Sequence, residues 1–242
     1  MPLQENSSQY VDWNAIDLVV FDVDGTLYDQ RRLRLVMLRR LLAATWRTRS
    51  LDTLKTLRTF RHVREALGDR PEADFMRLQY ARTAAQHHKT EDEVRALTHE
   101  WMERLPLPFL AGCRYPHLDA LFAGLRAAGK QVAVFSDYPA ADKLAALGLQ
   151  AAPVVCATDP DICRLKPDPF GLLAILQRTG VAAQRTLMVG DRFDRDGLAA
   201  SRAGVRALIR SAKPHPEHLT FQAYDDPVFQ PLLARAARTV AA

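Results

Sequence analysis

Residues 17–27 read DLVVFDVDGTL, and this stretch decides how the rest of the chain can fold. Its first part, residues 17–21, is a short and mainly apolar run of the kind that forms a buried strand. Asp22 and Asp24 follow directly, and Gly25 permits the tight turn with which the chain would leave the strand. Residues two positions apart on an extended backbone point to the same side, so the two carboxylates are predicted to face one ligand.

The second half of the chain alternates between apolar runs and segments with helical spacing. Strands are predicted at 131–135, 153–157, 185–189 and 205–209, and helices at 117–128, 140–147, 169–179, 196–203 and 227–240. Repeated strand–helix units are typical of a parallel sheet with helices on both faces. The fold class predicted from this pattern is therefore α/β.

Residues 30–110 contain no convincing strand. Their helical spacing predicts four helices, at 32–48, 51–68, 72–88 and 91–105. The predicted domains are therefore an α/β core formed by residues 1–29 and 111–242, and a helical insert formed by residues 30–110.

Individual side chains add detail to this insert. Asp52 and Thr90 stand at predicted helix starts and are expected to be N-caps, and Glu93 completes a capping-box pattern with Thr90. Trp46 and Trp101 are interpreted as packing inside the insert rather than stacking on a ligand. The insert carries 17 Lys and Arg against 10 Asp and Glu, whereas the whole chain has a net charge of +5. This excess indicates either solvated helix faces or a surface that attracts an anionic ligand.

Polar residues follow the predicted strands, at the sheet edge where ligands bind in parallel sheets. They are Asp22, Asp24, Ser136, Lys166, Asp191 and Asp196. Four carboxylates held close together repel one another unless a cation lies among them. Ligation by oxygen alone favours Mg²⁺, and the lack of His and Cys in these segments argues against zinc. We therefore predict a Mg²⁺ site formed by Asp22, Asp24, Asp191 and Asp196.

The same residues supply the groups that phosphoryl transfer requires. One of Asp22 and Asp24 can attack phosphorus, while the other protonates the leaving oxygen and later deprotonates a water molecule. Ser136 offers a hydroxyl donor and Lys166 a fixed positive charge, and both suit a phosphoryl group in transfer. On these grounds either aspartate could be the nucleophile.

Four ordered segments resemble the motifs of the haloacid dehalogenase superfamily of phosphohydrolases. FDVDGTL at 21–27 resembles motif I, Ser136 motif II, Lys166 in LKPDP motif III, and Gly190–Asp191 with Asp196 motif IV. The resemblance covers roughly residues 15–210. It implies a Rossmann-like core in which the helical insert is the α-helical C1 cap. In cap type and motifs the chain is most similar to the phosphoglycolate phosphatase-like group.

The resemblance also implies a role for the residues of the first three motifs. Asp22 would be the nucleophile and Asp24 the general acid and base. Thr26 and Ser136 would bind or position the phosphate, and Lys166 would pair with Asp22 and the phosphate. The function implied is the hydrolysis of a small organic phosphomonoester through an aspartyl-phosphate.

The metal site implied by the resemblance consists of oxygen ligands. Asp22, the main-chain carbonyl of Asp24, and Asp191 would hold Mg²⁺, with Asp196 supporting the site. Two residues depart from the family's pattern. Asp137 follows Ser136 where relatives often carry Asn or Gly, and Asp194 is an additional aspartate in motif IV, where it could be a ligand, an acceptor behind the ligands or an N-cap.

Three other functions compete with a phosphatase. A phosphomutase of the same superfamily shares all four motifs and differs in how the cap excludes water. A non-catalytic protein could keep the fold and present its basic cap to an anionic partner. A 2-haloacid dehalogenase lacks the second aspartate of motif I, so Asp24 argues against it.

The expected partner is a small phosphorylated metabolite, and the basic insert favours one that carries a second anionic group. Arg31, Arg32 and Arg34 follow motif I closely and are candidates to contact it. The sequence has no nucleic-acid-binding motif and no apolar run of membrane-spanning length, so neither type of partner is expected. The three cysteines form no C-x-x-C pair, which favours reduced thiols and a cytoplasmic location.

Overall fold

A six-stranded parallel sheet forms the centre of the computed structural model, which describes residues 11–69 and 74–240. The strands are β1 (Leu18–Phe21), β2 (Gln131–Ser136), β3 (Val154–Cys156), β4 (Thr186–Gly190), β5 (Arg206–Arg210) and β6 (Leu219–Phe221). Their order across the sheet is β3-β2-β1-β4-β5-β6. Phe21 at the end of β1 is level with Val134 of β2 and Val189 of β4. The carboxyl ends of these three strands therefore meet at one edge.

Helices cover the sheet and fill the segment between β1 and β2. They are α1 (Gln30–Thr48), α2 (Asp52–Asp69), α3 (Phe75–His87), α4 (Glu91–Thr98), α5 (Leu107–Cys113), α6 (Leu118–Ala127), α7 (Ala141–Leu147), α8 (Phe170–Thr179), α9 (Leu198–Arg202) and α10 (Gln230–Val240). The predicted α/β fold, with a parallel Rossmann-like sheet and an inserted helical segment, is confirmed.

Both faces of β1 are buried, which explains the unbroken apolar run in the sequence. Phe21 faces one core, where its ring lies 5.0 Å from that of Phe122 on α6. Val20 faces the other core, together with Leu172 of α8 and Ala200 of α9. Each fully buried Val, Leu or Phe side chain contributes about 1.5–3 kcal/mol to folding. The strand that carries the two aspartates is thus held firmly on both sides.

The insert contains one helix more than the sequence predicts. No helix is predicted from the sequence at the position of α5, where Pro106 and Pro108 stand at the start, but proline is tolerated in the first turn of a helix. Helix α4 continues into a π-helical turn at His99–Arg104. Helix α5 crosses residue 110, at which the insert was predicted to end. The division into core and insert domains stays a prediction.

The helix caps of the insert are in part as predicted. Thr90 and Glu93 form the reciprocal bonds of a capping box at the start of α4, as expected. The prediction for Asp52 is wrong, because this residue is the first of α2 and its N–H donates to Ser50 Oγ at 3.2 Å. The interpretation of Trp46 as a packed residue is also wrong, since 86% of its surface is exposed.

Strand β6 is absent from the sequence-based prediction, although the helix near the carboxyl end, α10, is confirmed. Three residues between prolines give too short a pattern to recognise as a strand. The strand is held by β5 and by Phe221, whose ring lies 5.0 Å from that of Phe229 and 5.1 Å from that of Tyr224. Its formation therefore depends on tertiary packing rather than on local propensity.

The helices and the cysteines are relevant to the predicted location of the protein. Across 11–69 and 74–240, no helix combines the length and the apolar character needed to cross a membrane. Cys113, Cys156 and Cys163 are all unpaired. The cytoplasmic location stays a prediction.

Candidate active site

The ends of β1 and β4 and the segment after β3 bring four of the predicted residues together. Lys166 Nζ lies 2.6 Å from Asp22 Oδ1 and 2.6 Å from Asp196 Oδ1. Asp22, Asp191 and Asp196 each place one carboxylate oxygen within 4.8 Å of the others. The sequence expectation that these residues converge at one edge of the sheet agrees with this arrangement.

Burial controls the charges of this cluster. It raises the pKa of Asp22 well above its ordinary value despite the lowering effect of Lys166, and the nearby Asp196 carboxylate adds to the rise. Burial and Asp196 likewise raise the pKa of Asp191 to about 7. Burial alone would lower the pKa of Lys166, but the carboxylates of Asp196 and Asp22 outweigh it and hold the pKa well above its usual range. Lys166 is therefore the fixed cation of the site.

The cluster fits a divalent cation. Three carboxylates oppose one ammonium group, and burial together with repulsion between the carboxylates raises the pKa values of Asp22 and Asp191. A further positive charge would favour the ionised form of both residues. Its oxygen-only donors suit Mg²⁺. Both oxygens of Asp196 are already engaged, with Oδ1 on Lys166 and Oδ2 accepting from the N–H groups of Asp191 and Arg192 at 3.1 Å. Asp22 and Asp191 are therefore the side chains better placed to bind a metal.

Gly25 is required for the close approach of the two loops that carry these carboxylates. Its φ of +100° lies in a region that other residues rarely adopt. A Cβ at this position would lie 2.1 Å from Asp191 Oδ2. A side chain here would push Asp191 away from the cluster.

Thr26 and Ser136 are fully buried and do not line the cleft above the cluster. The Thr26 hydroxyl donates to Asp22 Oδ2 at 3.0 Å, and Tyr224 donates to the Thr26 carbonyl at 2.7 Å. Ser136 Oγ accepts from the N–H of Tyr138 at 3.2 Å. Thr26 therefore orients Asp22, and the phosphate-binding roles of Thr26 and Ser136 stay predictions.

Asp24 is paired with a second lysine that the sequence analysis did not single out. Lys143 Nζ of α7 lies 2.7 Å from both carboxylate oxygens, and the Tyr28 hydroxyl donates to Oδ1. Burial would raise the pKa of Asp24, but Lys143 and the bond from Tyr28 bring it below its ordinary value. Asp24 is therefore ionised in this arrangement and separate from the cluster held by Lys166.

A cleft of about 1390 Å³ lies between the sheet edge and the insert. Its lining on the core side includes Asp22, Asp24, Lys166, Asp191 and Asp196, and on the insert side Arg31 and Arg34 of α1, Arg58 and Arg61 of α2, and Trp101. Arg32, the remaining arginine of the predicted trio, does not line it. Arg31, Arg34, Arg58 and Arg61 form no salt bridge with any residue in the described part of the chain. The cleft therefore presents unpaired cations opposite the carboxylate cluster.

The two residues that depart from the family pattern have structural partners. Asp137 Oδ1 accepts from the main-chain N–H of Lys166 at 2.9 Å, which fixes the segment that carries the lysine. Asp194 Oδ2 lies 2.7 Å from Arg192 Nη2, and its side chain is 64% exposed. Asp194 therefore forms a surface ion pair and stands outside the carboxylate group suited to a metal.

Helix α2 of the insert is attached to the core through Arg195, which lies in the turn after β4. The Arg195 side chain is 7% exposed, and its Nη2 lies 2.7 Å from Asp69 Oδ1 and 3.2 Å from Glu65 Oε2. Its Nη1 donates to the Lys166 carbonyl at 3.1 Å. A Cβ on Gly68 would lie 2.5 Å from this Nη1, so the glycine makes room for the contact. One arginine thus joins the insert to the segment that carries Lys166.

Sequence reasoning missed Lys143, Tyr28 and Arg195, although each left a signal. Lys143 precedes Leu147 by four residues and so lies on the apolar side of its helix, where an unpaired lysine is costly. Tyr28 directly follows motif I, and Arg195 lies inside motif IV. No local pattern, however, states which carboxylate each of them contacts.

Comparisons with known proteins agree with the motifs and the fold. The sequence model described as haloacid dehalogenase-like hydrolase matches residues 16–204. A phosphoglycolate phosphatase of Rhodospirillum rubrum is 31% identical over 204 residues, which are 80% of this chain and 78% of that protein.

Two solved structures share the fold. A 2-haloacid dehalogenase of Pseudomonas syringae pv. Tomato has 22% identity and a TM-score of 0.58, covering 93% of this chain and 98% of its own. CbbY of Rhodobacter sphaeroides, in complex with phosphate, has 18% identity and a TM-score of 0.57, covering 90% and 99%. The predicted family and the predicted hydrolase class are confirmed: the chain belongs to the haloacid dehalogenase-like hydrolases.

Proposed function

We propose that this protein is a Mg²⁺-dependent phosphatase that hydrolyses a small organic phosphomonoester. The observation that carries the proposal is the buried contact of Lys166 with Asp22, beside Asp191 and at the base of an open cleft. The 31% identity to a protein named phosphoglycolate phosphatase supports the phosphatase class. A buried carboxylate with a fixed cation at its side is suited to attack an anionic phosphate group.

The proposed reaction proceeds in two transfers. In the first, a carboxylate oxygen of Asp22 bonds to phosphorus, the ester P–O bond breaks, and Asp24, which takes up a proton when the anionic substrate binds beside it, gives that proton to the leaving alcohol. In the second, Asp24 takes a proton from water, the water oxygen bonds to phosphorus, and the bond from phosphorus to Asp22 breaks. The products are the alcohol and inorganic phosphate, and both aspartates return to their starting state.

The neighbouring residues prepare Asp22 for this role. Thr26 orients its carboxylate by the bond to Oδ2, and Lys166 balances negative charge at Oδ1. Asp22, Asp191 and the Asp24 main-chain carbonyl would hold Mg²⁺, with Asp196 keeping the Asp191 loop in place. When bound, the ion would reduce the repulsion between the carboxylates and the incoming phosphate.

The substrate proposed here carries a second anionic group. The cluster with Lys166 and Mg²⁺ balances the phosphoryl group, which leaves the lining arginines of the insert available for another charge. Replacement of Arg34 or Arg61 by Met is expected to raise KM more than threefold for the best substrate that carries an anionic group besides the phosphate. Arg32→Met is the matched control, because Arg32 belongs to the same helix but does not line the cleft. Equal KM values in all variants would contradict the second-anion proposal.

Turnover of p-nitrophenyl phosphate with added Mg²⁺, and after exhaustive removal of metal by EDTA, tests the proposed function. We expect hydrolysis that depends on the metal, followed by selection of the natural substrate class from a panel of phosphorylated metabolites. Full activity without metal would overturn the Mg²⁺ assignment. Formation of an isomeric sugar phosphate instead of inorganic phosphate would identify the phosphomutase alternative, and no turnover at all would favour the partner-binding alternative.

A further inference from the structure

The Asp24 carboxylate is held by two side chains from the core. Lys143 Nζ lies 2.7 Å from Oδ1 and 2.7 Å from Oδ2, so the ammonium group bridges both oxygens. The Tyr28 hydroxyl donates to Oδ1 from the opposite end of the same loop. The Lys143 and Asp24 side chains are only 11% and 14% exposed. Together these contacts restrict both the rotation and the position of the carboxylate.

Lys143 is itself confined by a wall that includes the insert. Its Nζ lies 5.4 Å from the centre of the Tyr138 ring, and the Arg64 guanidinium lies 4.0 Å from the same ring. Arg64 belongs to α2, is 7% exposed and donates to Gln79 Oε1 at 3.0 Å. The ammonium group therefore has little freedom to leave Asp24.

The placement of Lys143 has no evident purpose other than Asp24. The residue lies on the buried side of α7 next to Leu144 and Leu147, where a hydrophobic side chain would cost less. Within residues 11–69 and 74–240, its only salt bridge is with Asp24, whereas Lys166 pairs with Asp22 and Asp196. A buried lysine that serves one carboxylate is unlike the solvated cations on the insert surface.

We propose that Lys143 and Tyr28 are positioning residues for Asp24, which fix the carboxyl group where it meets the leaving oxygen of the substrate. This inference rests on the proposed phosphatase function, in which Asp24 transfers that proton. Neither residue belongs to the cluster of Asp22, Asp191, Asp196 and Lys166. Both act through the Asp24 carboxylate, so their loss should affect only substrates that need its proton.

The dependence on the leaving group separates this role from a general structural one. The leaving group of an alkyl phosphate departs as an unstable alkoxide unless its oxygen is protonated. The leaving group of p-nitrophenyl phosphate is p-nitrophenolate, a stable anion that departs without a proton. The ratio kcat/KM reports the steps up to the first phosphoryl transfer, before hydrolysis of the common aspartyl-phosphate. We expect Lys143→Met to lower kcat/KM for an alkyl phosphate about tenfold more than for p-nitrophenyl phosphate.

Tyr28→Phe gives a second and independent measurement, because it removes one hydrogen bond to Asp24 without changing any charge. The same preferential loss on the alkyl phosphate is expected, at about threefold. Lys55→Met is the control, since Lys55 is an exposed lysine of α2 whose replacement should leave both substrates unaffected. Circular dichroism and the thermal midpoint establish whether each variant is folded. If Lys143→Met does not fold, the kinetics of Tyr28→Phe test the proposed positioning role.

Loss by the same factor on both substrates, or a greater loss on p-nitrophenyl phosphate, would overturn the positioning roles. A gain on the alkyl phosphate in Lys143→Met would overturn them as well, because it would mean that Lys143 opposes proton transfer from Asp24. Failure of the wild-type protein to hydrolyse either substrate in the presence of Mg²⁺ would overturn the proposed function, and the positioning roles with it.

Discussion

The sheet edge and the helical insert differ in how their charged residues are held. At the edge, Lys166 is 2% exposed and contacts two carboxylates, and each of these carboxylates has further partners. In the insert, α1 exposes Leu35 and Trp46 at 61% and 86%. Arg31 and Arg34 of this helix form no salt bridge with any residue that the structure describes. The sheet thus fixes the chemical groups in place, while the insert presents a surface that is open to a ligand.

The same contrast appears inside the insert. Helix α2 is attached to the core through Arg64, Glu65 and Asp69, which contact residues on the loops of the sheet edge. Among the α1 side chains that the structure describes, only Leu33 and Leu41 are buried. Leu33 packs in the core cluster that contains Phe21, so α1 meets the core through apolar contacts, whereas α2 is tied to the sheet edge by hydrogen bonds and ion pairs.

The largest effect expected from breaking the sheet edge is that of Asp22→Asn. An amide is a poor nucleophile and a weaker metal ligand, so kcat should fall to below about 1% of the wild-type value. Steady-state hydrolysis of p-nitrophenyl phosphate measures it. Asp194→Asn is the matched control, because Asp194 is an exposed partner of Arg192 and its loss should leave kcat nearly unchanged. Substantial activity in Asp22→Asn would remove Asp22 from the nucleophile role.

Metal removal should make the stability of the sheet edge depend on pH through Asp191. Burial raises the pKa of Asp191 from 3.8 to about 7. At a pH between these two values, the metal-free protein therefore binds a proton at Asp191 when it folds. The free energy of unfolding should therefore fall as pH rises through this window and level off above it. Mg²⁺ competes with the same proton, so its stabilising effect should grow with pH.

Thermal midpoints at about pH 5.5 and about pH 7.5, in EDTA and in MgCl₂, test this expectation. Asp191→Asn is the control, since it cannot take up the proton and should show a smaller change with pH in EDTA. A metal-free midpoint whose decline with pH is the same in wild type and Asp191→Asn would contradict the role of Asp191.

At the junction between α2 and the core, loss of the buried Arg195 should lower the free energy of unfolding more than loss of the exposed Arg192. Arg195→Met removes contacts to Glu65, Asp69 and the Lys166 carbonyl, and should lower the free energy of unfolding by about 2 kcal/mol. Arg192→Met removes the ion pairs with Glu65 and Asp194 from a side chain that is 40% exposed, and should lower the free energy of unfolding by less than about 1 kcal/mol. Urea denaturation compares the two, and equal losses would refute the distinction.

The smallest effect is expected on the open side of the insert. Trp46→Ala removes a side chain that is already 86% exposed, so the free energy of unfolding should change by less than about 0.5 kcal/mol. Urea denaturation followed by circular dichroism measures the change. A loss of several kcal/mol would show that Trp46 is buried in solution, for example against a second copy of the chain.

Much of the fold and the motif residues of the site could be predicted because their signals are local. The apolar run at 17–21 and its later counterparts mark strands that are buried in the sheet. The identities of Asp22, Lys166 and Asp191 follow from motifs of a few residues each. A parallel sheet then places strand ends together by its own geometry, whatever the helices between them do.

Only the tertiary structure decided which partner each charged group has. Lys143 and Asp24 are 119 residues apart in sequence, and Arg195 and Asp69 are 126 apart. The exposure of Trp46 and the pairing of β6 likewise depend on which surfaces meet. The same helical or extended sequence pattern is compatible with a buried face and with a solvent-exposed one. Local periodicity determines the elements of this protein, whereas contacts between distant segments determine the charges and positions on which its chemistry depends.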